Sequence, residues 1–127
     1  MKHILSIIAI ILLLFSCSKS KQLPTEFTQS DPFPHTYPVY NDVTIPVNIA
    51  PLTFEMYDSC EEMAVRYSFG DEEIICRGKQ SLPEIDEWRK LTAAAKGKSI
   101  LVETFACKGG QWTRYRPYFI HVSPDSI

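Results

Sequence analysis

The sequence predicts an all-β sandwich with a single short helix, and three observations carry that expectation. After residue 42, apolar residues recur at every second position, the pattern of strands with one buried face. Turn residues interrupt this alternation at short intervals, as in antiparallel strands joined by hairpins. Only one stretch, 81–97, carries a helical repeat.

The strands follow in order. Leu52, Phe54 and Met56 alternate with Thr53, Glu55 and Tyr57, and Met63, Val65, Tyr67 and Phe69 alternate with Ala64, Arg66 and Ser68. Gly70-Asp71 reads as a hairpin turn into a short strand. Ile100, Val102 and Thr104 share one face of a later strand, which Lys108-Gly109-Gly110-Gln111 turns back, since paired glycines accept the positive φ of a tight hairpin. Pro117 divides the return into two pieces, at an edge or a bulge. Segments near 43–47, 52–57, 63–69, 73–77, 99–107, 111–116 and 118–123 are thus expected as strands.

For the helix, Ser81-x-x-Glu84 fits a capping box with Pro83 in the first turn. Ile85, Trp88, Leu91 and Ala95 form its apolar face, and Gly97 stops it. About seven strands at this spacing, with one helix crossing between sheets, point to an immunoglobulin-like β-sandwich over residues 40–127.

The N-terminus is of another kind. Met1-Lys2-His3 is a short positive start, and Ile4 to Phe15 is nearly continuous hydrocarbon. Twelve helical residues rise only ~18 Å, short of the ~30 Å hydrocarbon core of a bilayer but suited to a secretory signal. Leu14-Phe15-Ser16-Cys17 resembles the lipobox of bacterial lipoproteins. The resemblance implies a signal peptide over 1–16 and a lipidated Cys17, attached to membrane through its acyl chains. No acidic run follows the cysteine, which favours the periplasm-facing side of the outer membrane. Residues 17–39 contain Pro24, Pro32, Pro34 and Pro38 and no apolar period, so they read as a semi-rigid tether.

The string Asp42-Val43-Thr44-Ile45-Pro46-Val47-Asn48-Ile49-Ala50-Pro51-Leu52-Thr53-Phe54 resembles the opening of a family of Gram-negative lipoproteins with TolB-like propellers, often labelled cytochrome c biosynthesis proteins. Trp88-Arg89-Lys90-Leu91, Gly97-Lys98, Gly110-Gln111-Trp112 and Tyr118-Phe119-Ile120 are similar to later parts of its first module. The resemblance implies an immunoglobulin-like leading module. This sequence has no Cys-x-x-Cys-His and no propeller repeats, so haem and propeller functions do not carry over.

Little here carries chemistry. Formal charge is −2, and loss of Lys2 with the leader makes it −3, so no basic field draws nucleic acid. With Cys17 acylated, Cys60, Cys76 and Cys107 remain, and Cys76–Cys107 is the candidate disulfide because both lie on expected strands. The alternative is that they are small buried thiols. No Cys-x-x-Cys spacing supports zinc, and His35 and His121 lack partners at metal spacing, so no metal or cofactor is expected. No nucleophile motif is present, and no catalytic residue is assigned.

In an uninterrupted strand Trp112, Arg114, Arg116 and Tyr118 share one face, and aromatics with arginines favour binding. That face could stack on sugars or meet an envelope protein; the favoured alternative is that Trp112 covers the hairpin and the arginines are solvated, with Pro117 able to break the register and split Tyr118 from the others. The expected function is a non-catalytic, membrane-anchored binding or scaffold module. The alternatives are a detached first module of a longer propeller lipoprotein, and a small redox or metal protein using the three cysteines and His121.

Overall fold

The computed structural model describes residues 22–126; the leader, the lipobox and Cys17 lie outside these residues. The described chain is mostly strand, with one helix, and its sheets form a sandwich-like arrangement. In chain order the elements are β1 (Thr28–Gln29), β2 (Thr36–Tyr37), β3 (Thr44–Pro46), β4 (Phe54–Met56), β5 (Glu62–Phe69), β6 (Glu72–Gly78), β7 (Gln80–Ser81), α1 (Ile85–Ala94), β8 (Ser99–Lys108), β9 (Gln111–Arg114) and β10 (Tyr118–Ser123). No helix of the described residues is long and apolar enough to cross a membrane.

The large sheet has seven strands. β6, β5 and β8 run antiparallel side by side, and the far edge of β8 is shared end to end by β9 and β10. β1 then lies parallel to β9, and β3 parallel to β10. The second layer is the three-stranded sheet β2–β4–β7 together with α1. The helix carries the chain from β7 in the small sheet to β8 in the large one, the crossover expected of it.

The core lies between the layers, and period-two alternation fills it. Met63, Val65 and Tyr67 of β5 face Ala106, Thr104 and Val102 of β8, while Phe54 and Met56 descend from the small sheet. Trp88, Leu91 and Ala95 of the helix segment complete it, all nearly inaccessible to solvent. Ile85, expected on this face, is instead exposed, because the helix only begins there. Its N-cap is Glu84 rather than Ser81: the Glu84 carboxylate accepts from Asp86 N at 3.1 Å and Glu87 N at 2.9 Å. Ser81 is already committed, paired with Phe54 and hydrogen-bonded at 2.6 Å to the Tyr67 hydroxyl.

The β8–β9 hairpin closes as expected. Lys108 pairs with Gln111, leaving Gly109 (φ 58°) and Gly110 (φ 74°) as a two-residue loop with both φ positive.

Two expectations are corrected. Residues 17–39 are not a free tether along their described part. β1 pairs with β9, β2 pairs with β4, Thr36 is buried, and Phe27 packs edge-on against Phe105 at 5.2 Å. The prolines stiffen a strap that lies on the domain. Second, Cys76 and Cys107 do not meet. Cys76 pairs with Val65 and faces the core, whereas Cys107 pairs with Glu62 and faces the opposite side of the sheet. β5 lies between their strands, so their backbones stand ~10 Å apart, beyond disulfide reach. Among the described residues Cys60, Cys76 and Cys107 form no disulfide. Denatured, unreduced protein is therefore expected to titrate as three thiols from Cys60, Cys76 and Cys107; a count of one would contradict this arrangement.

Candidate binding surface

The face expected from Trp112, Arg114, Arg116 and Tyr118 does not assemble. Trp112 and Arg114 pair with Cys107 and Phe105 and point away from the core. The chain then leaves the sheet at Tyr115–Pro117 and rejoins it with the pairing slipped by one residue, so that Tyr118 opposes Val102. A one-residue slip turns a side chain to the other face, and Tyr118 is buried in the core.

The three exposed-face groups are engaged at home. The Arg77 guanidinium lies 5.0 Å from the Trp112 ring centre. Arg114 sits over Phe105 at 5.9 Å and donates to Gln29 Oε1 at 3.0 Å, and Arg116 sits over Phe33 at 5.3 Å. The arginines and aromatics clamp the strap to the sheet. Arg77 is the strongest of these clamps. It forks onto Glu62 at 2.9 and 2.8 Å and donates to the Gln22 carbonyl at 2.8 Å. The same fork holds the Glu62 carboxyl below the usual carboxylate range.

A different aromatic surface is open. On β2 and β4, Tyr37 pairs with Glu55, which pairs in turn with Gln80 of β7; this row faces away from the core. One step along, His35 stacks on Tyr57 with ring centres 4.5 Å apart and planes 21° apart. Tyr57 N donates to His35 O at 2.9 Å, continuing the β2–β4 pairing beyond the strands and fixing both rings. Tyr37 and Tyr57 are 66% and 65% exposed, the most open large apolar side chains among the described residues. Gln80 Nε2 donates to Glu55 Oε2 at 3.3 Å, which orients that carboxylate beside the rings. A shallow groove of about 160 Å³ runs along Tyr37, Pro38, Thr53, Glu55 and Gln80. Flat rings bordered by a carboxylate and an amide can stack on an apolar ring face and hydrogen-bond to hydroxyls around it.

The sequence does not announce this surface, because residues 17–39 carry no apolar period and read as a tether. The available signal was His35-x-Tyr37 between Pro34 and Pro38, an alternation like that of Glu55-x-Tyr57.

The fold also assembles a polar relay absent from the sequence reading. Ser99 Oγ lies 2.7 Å from His121 Nδ1, and His121 Nε2 is hydrogen-bonded to Asp42. Asp42 N donates to Phe119 O at 3.0 Å and His121 N to Val43 O at 2.8 Å, so the relay ties the approach to β3 onto β10 and β8. A serine in such a chain can be polarised, but the grooves along Tyr37–Gln80, beside Phe27 and Trp112, and beside Lys79 and Lys108 are lined by other residues. The relay is assigned to strand alignment. Among the described residues no group of three or more His, Cys, Asp or Glu side chains is placed to hold a metal.

Cys107 faces Glu61, whose carboxylate also accepts from Gly109 N at 2.6 Å. Burial first, then the Glu61 hydrogen bond, pushes the Cys107 thiol up. Burial likewise raises Cys60. Both changes reduce the thiolate fraction and with it nucleophilicity.

Comparison with family models, curated proteins and solved structures finds no match for this chain.

Proposed function

We propose that the chain is a lipid-anchored, non-catalytic binding module of the cell envelope, attached through Cys17 and facing the periplasm. Its binding surface is the outer face of the β2–β4–β7 sheet, and its ligand is a glycan. The supporting observation is the pair Tyr37 and Tyr57, each about two-thirds exposed on a sheet face whose geometry is held by backbone pairing and His35 stacking. Glu55 and Gln80 supply an acceptor and a donor beside the rings. Because His35 stacking holds the Tyr57 ring before any ligand arrives, that ring loses little freedom on binding.

The test is sedimentation of the full acylated protein with purified peptidoglycan, together with titration of soluble glycan fragments. Exposed aromatic anchors contribute ~1 kcal/mol or more each, so a Tyr37→Ala, Tyr57→Ala double variant should weaken binding roughly thirtyfold. Its unfolding midpoint should stay close to the parent's, since neither ring lies in the core. Equal glycan affinity in the two proteins would exclude this surface. Absence of glycan binding in the parent would redirect the search to an envelope protein.

A further inference from the structure

Gln22 is pinned by Arg77 at one end of the large sheet, beside Glu62 at the start of β5 and Trp112 near the start of β9. From Gln22 the strap stays on the domain through Phe27 against Phe105 and β1 against β9. Cys17 lies only five residues before Gln22. Five residues span at most ~18 Å even when fully extended. Part of that span is used in crossing the headgroup layer, which is ~5–8 Å thick on each side of a bilayer. β5 alone, with 8 residues, is ~27 Å long. An anchor at Cys17 therefore cannot lift this end of the domain by the length of one of its own strands. A free tether through residue 39 would have allowed ~60 Å.

The end so constrained has the side chains of an interfacial surface. Phe27 is 44% exposed, and a groove of about 390 Å³ opens between Glu26–Thr28 and Gly110–Trp112. Lys79 and Lys108 border a neighbouring groove of about 400 Å³. Glu61, itself exposed, also lines that groove, and its carboxylate accepts from Gly109 N at 2.6 Å and Gly110 N at 3.4 Å, so backbone donors meet part of its charge. Glu26 borders the first groove, and Asp58 lines a further groove with Lys79, so acidic groups stand among the lysines at this end. An amphipathic indole, a phenyl ring and lysines on long stems are the groups that settle at the headgroup level.

We infer that the anchored domain docks on its own bilayer, with the Phe27–Trp112–Lys108 end against the headgroups and the Gly70–Asp71 turn pointing away. The inference rests on the proposal that Cys17 carries the anchor. It also leaves the tyrosine surface on the flank of the domain, open to a glycan running alongside the membrane.

The chain holds two tryptophans, and Trp88 is fully buried, so Trp112 reports on this end. The acylated protein would be reconstituted into phosphatidylethanolamine–phosphatidylglycerol vesicles containing lipids brominated near the carbonyl. The expected result is a loss of Trp112 emission that is absent in Trp112→Phe. A second protein, Trp112→Phe with Asp71→Trp, places the reporter at the opposite turn and should show no loss. A flexible insertion of ~20 residues after Lys21, with a root-mean-square reach of ~25 Å, should sharply reduce the Trp112 loss. Mass spectrometry of the same sample separates the two readings. Unacylated Cys17 overturns the anchor; acylated Cys17 without Trp112 quenching, or with equal quenching at residue 71, overturns the docking.

Discussion

Trp88→Ala is expected to remove most of the stability of the domain. Trp88 has no solvent exposure, donates from Nε1 to Ile49 O at 3.1 Å, and packs edge-on against Tyr67 with ring centres 5.9 Å apart. Deleting a buried indole costs ~3–5 kcal/mol through lost transfer energy and the cavity left behind. The Ile49 carbonyl loses its donor as well, at about 1 kcal/mol. Against a total of ~5–15 kcal/mol, the variant should be marginally folded. Urea unfolding would show a midpoint lower by about 2 M. A midpoint within about 0.5 M of the parent would mean that the helix does not pack here as described. Trp88 is also the point at which α1 meets the loop before β4, so its loss should loosen the small sheet that presents Tyr37 and Tyr57.

The second large effect is alkaline unfolding driven by two buried phenols. Burial pushes Tyr67 well above its ordinary value despite its hydrogen bond to Ser81, and burial, then the neighbouring Tyr40, raises Tyr118. In the unfolded chain both ionise near pH 10. Between that value and the raised folded values, the folded state holds more protons than the unfolded state, so stability falls as pH rises. The contribution is fully present below about pH 10 and is lost above it, at ~1.4 kcal/mol per pH unit for each tyrosine. Two tyrosines give ~2.7 kcal/mol per unit, so two units above about pH 10 remove about 5 kcal/mol, the lower end of an ordinary domain's stability. Guanidinium titrations from pH 8 to about pH 12 would measure the slope.

Tyr118→Phe gives that slope an internal check. The Tyr118 hydroxyl is buried without a hydrogen-bond partner among the described residues. Removing it should leave stability at neutral pH unchanged or raise it by about 1 kcal/mol, and should halve the alkaline slope. Tyr67→Phe should also lower the slope, but at neutral pH it strands the Ser81 hydroxyl in the core and should cost about 1 kcal/mol. A steeper slope in either variant would show that other groups control alkaline unfolding.

The strands whose inward residues alternate over several positions were legible in the sequence. Met63, Val65 and Tyr67, and Ile100, Val102 and Thr104, announce their buried faces because a pleated strand repeats every two residues. The Gly109-Gly110 hairpin was equally plain, since a two-residue loop of this kind demands positive φ at both positions. Two-residue strands such as β1, β2 and β7 are too short to show any period, and their pairing is set by partners distant in the chain. For that reason the strap looks like a tether in the sequence, and the tyrosine surface has little local signature. The Trp112–Tyr118 face is divided by a one-residue slip at Pro117, the position where the sequence marks an edge or a bulge, and the slip reverses every side chain beyond it.

The sequence by itself determined the all-β class, the one helix, the inward residues of the long strands and the lipobox-like position of Cys17. Each depends on neighbours within a few residues, where backbone geometry alone sets the pattern. Tertiary structure decided which aromatics are open. Arg77, Arg114 and Arg116 each engage one ring, Trp112, Phe105 and Phe33, while Tyr37 and the His35-stacked Tyr57 stay about two-thirds exposed. It also placed Cys76 and Cys107 on opposite sides of the sheet and joined Ser99, His121 and Asp42. Those outcomes depend on which side of which sheet a residue reaches after the chain has crossed layers, information that exists only once distant strands have paired.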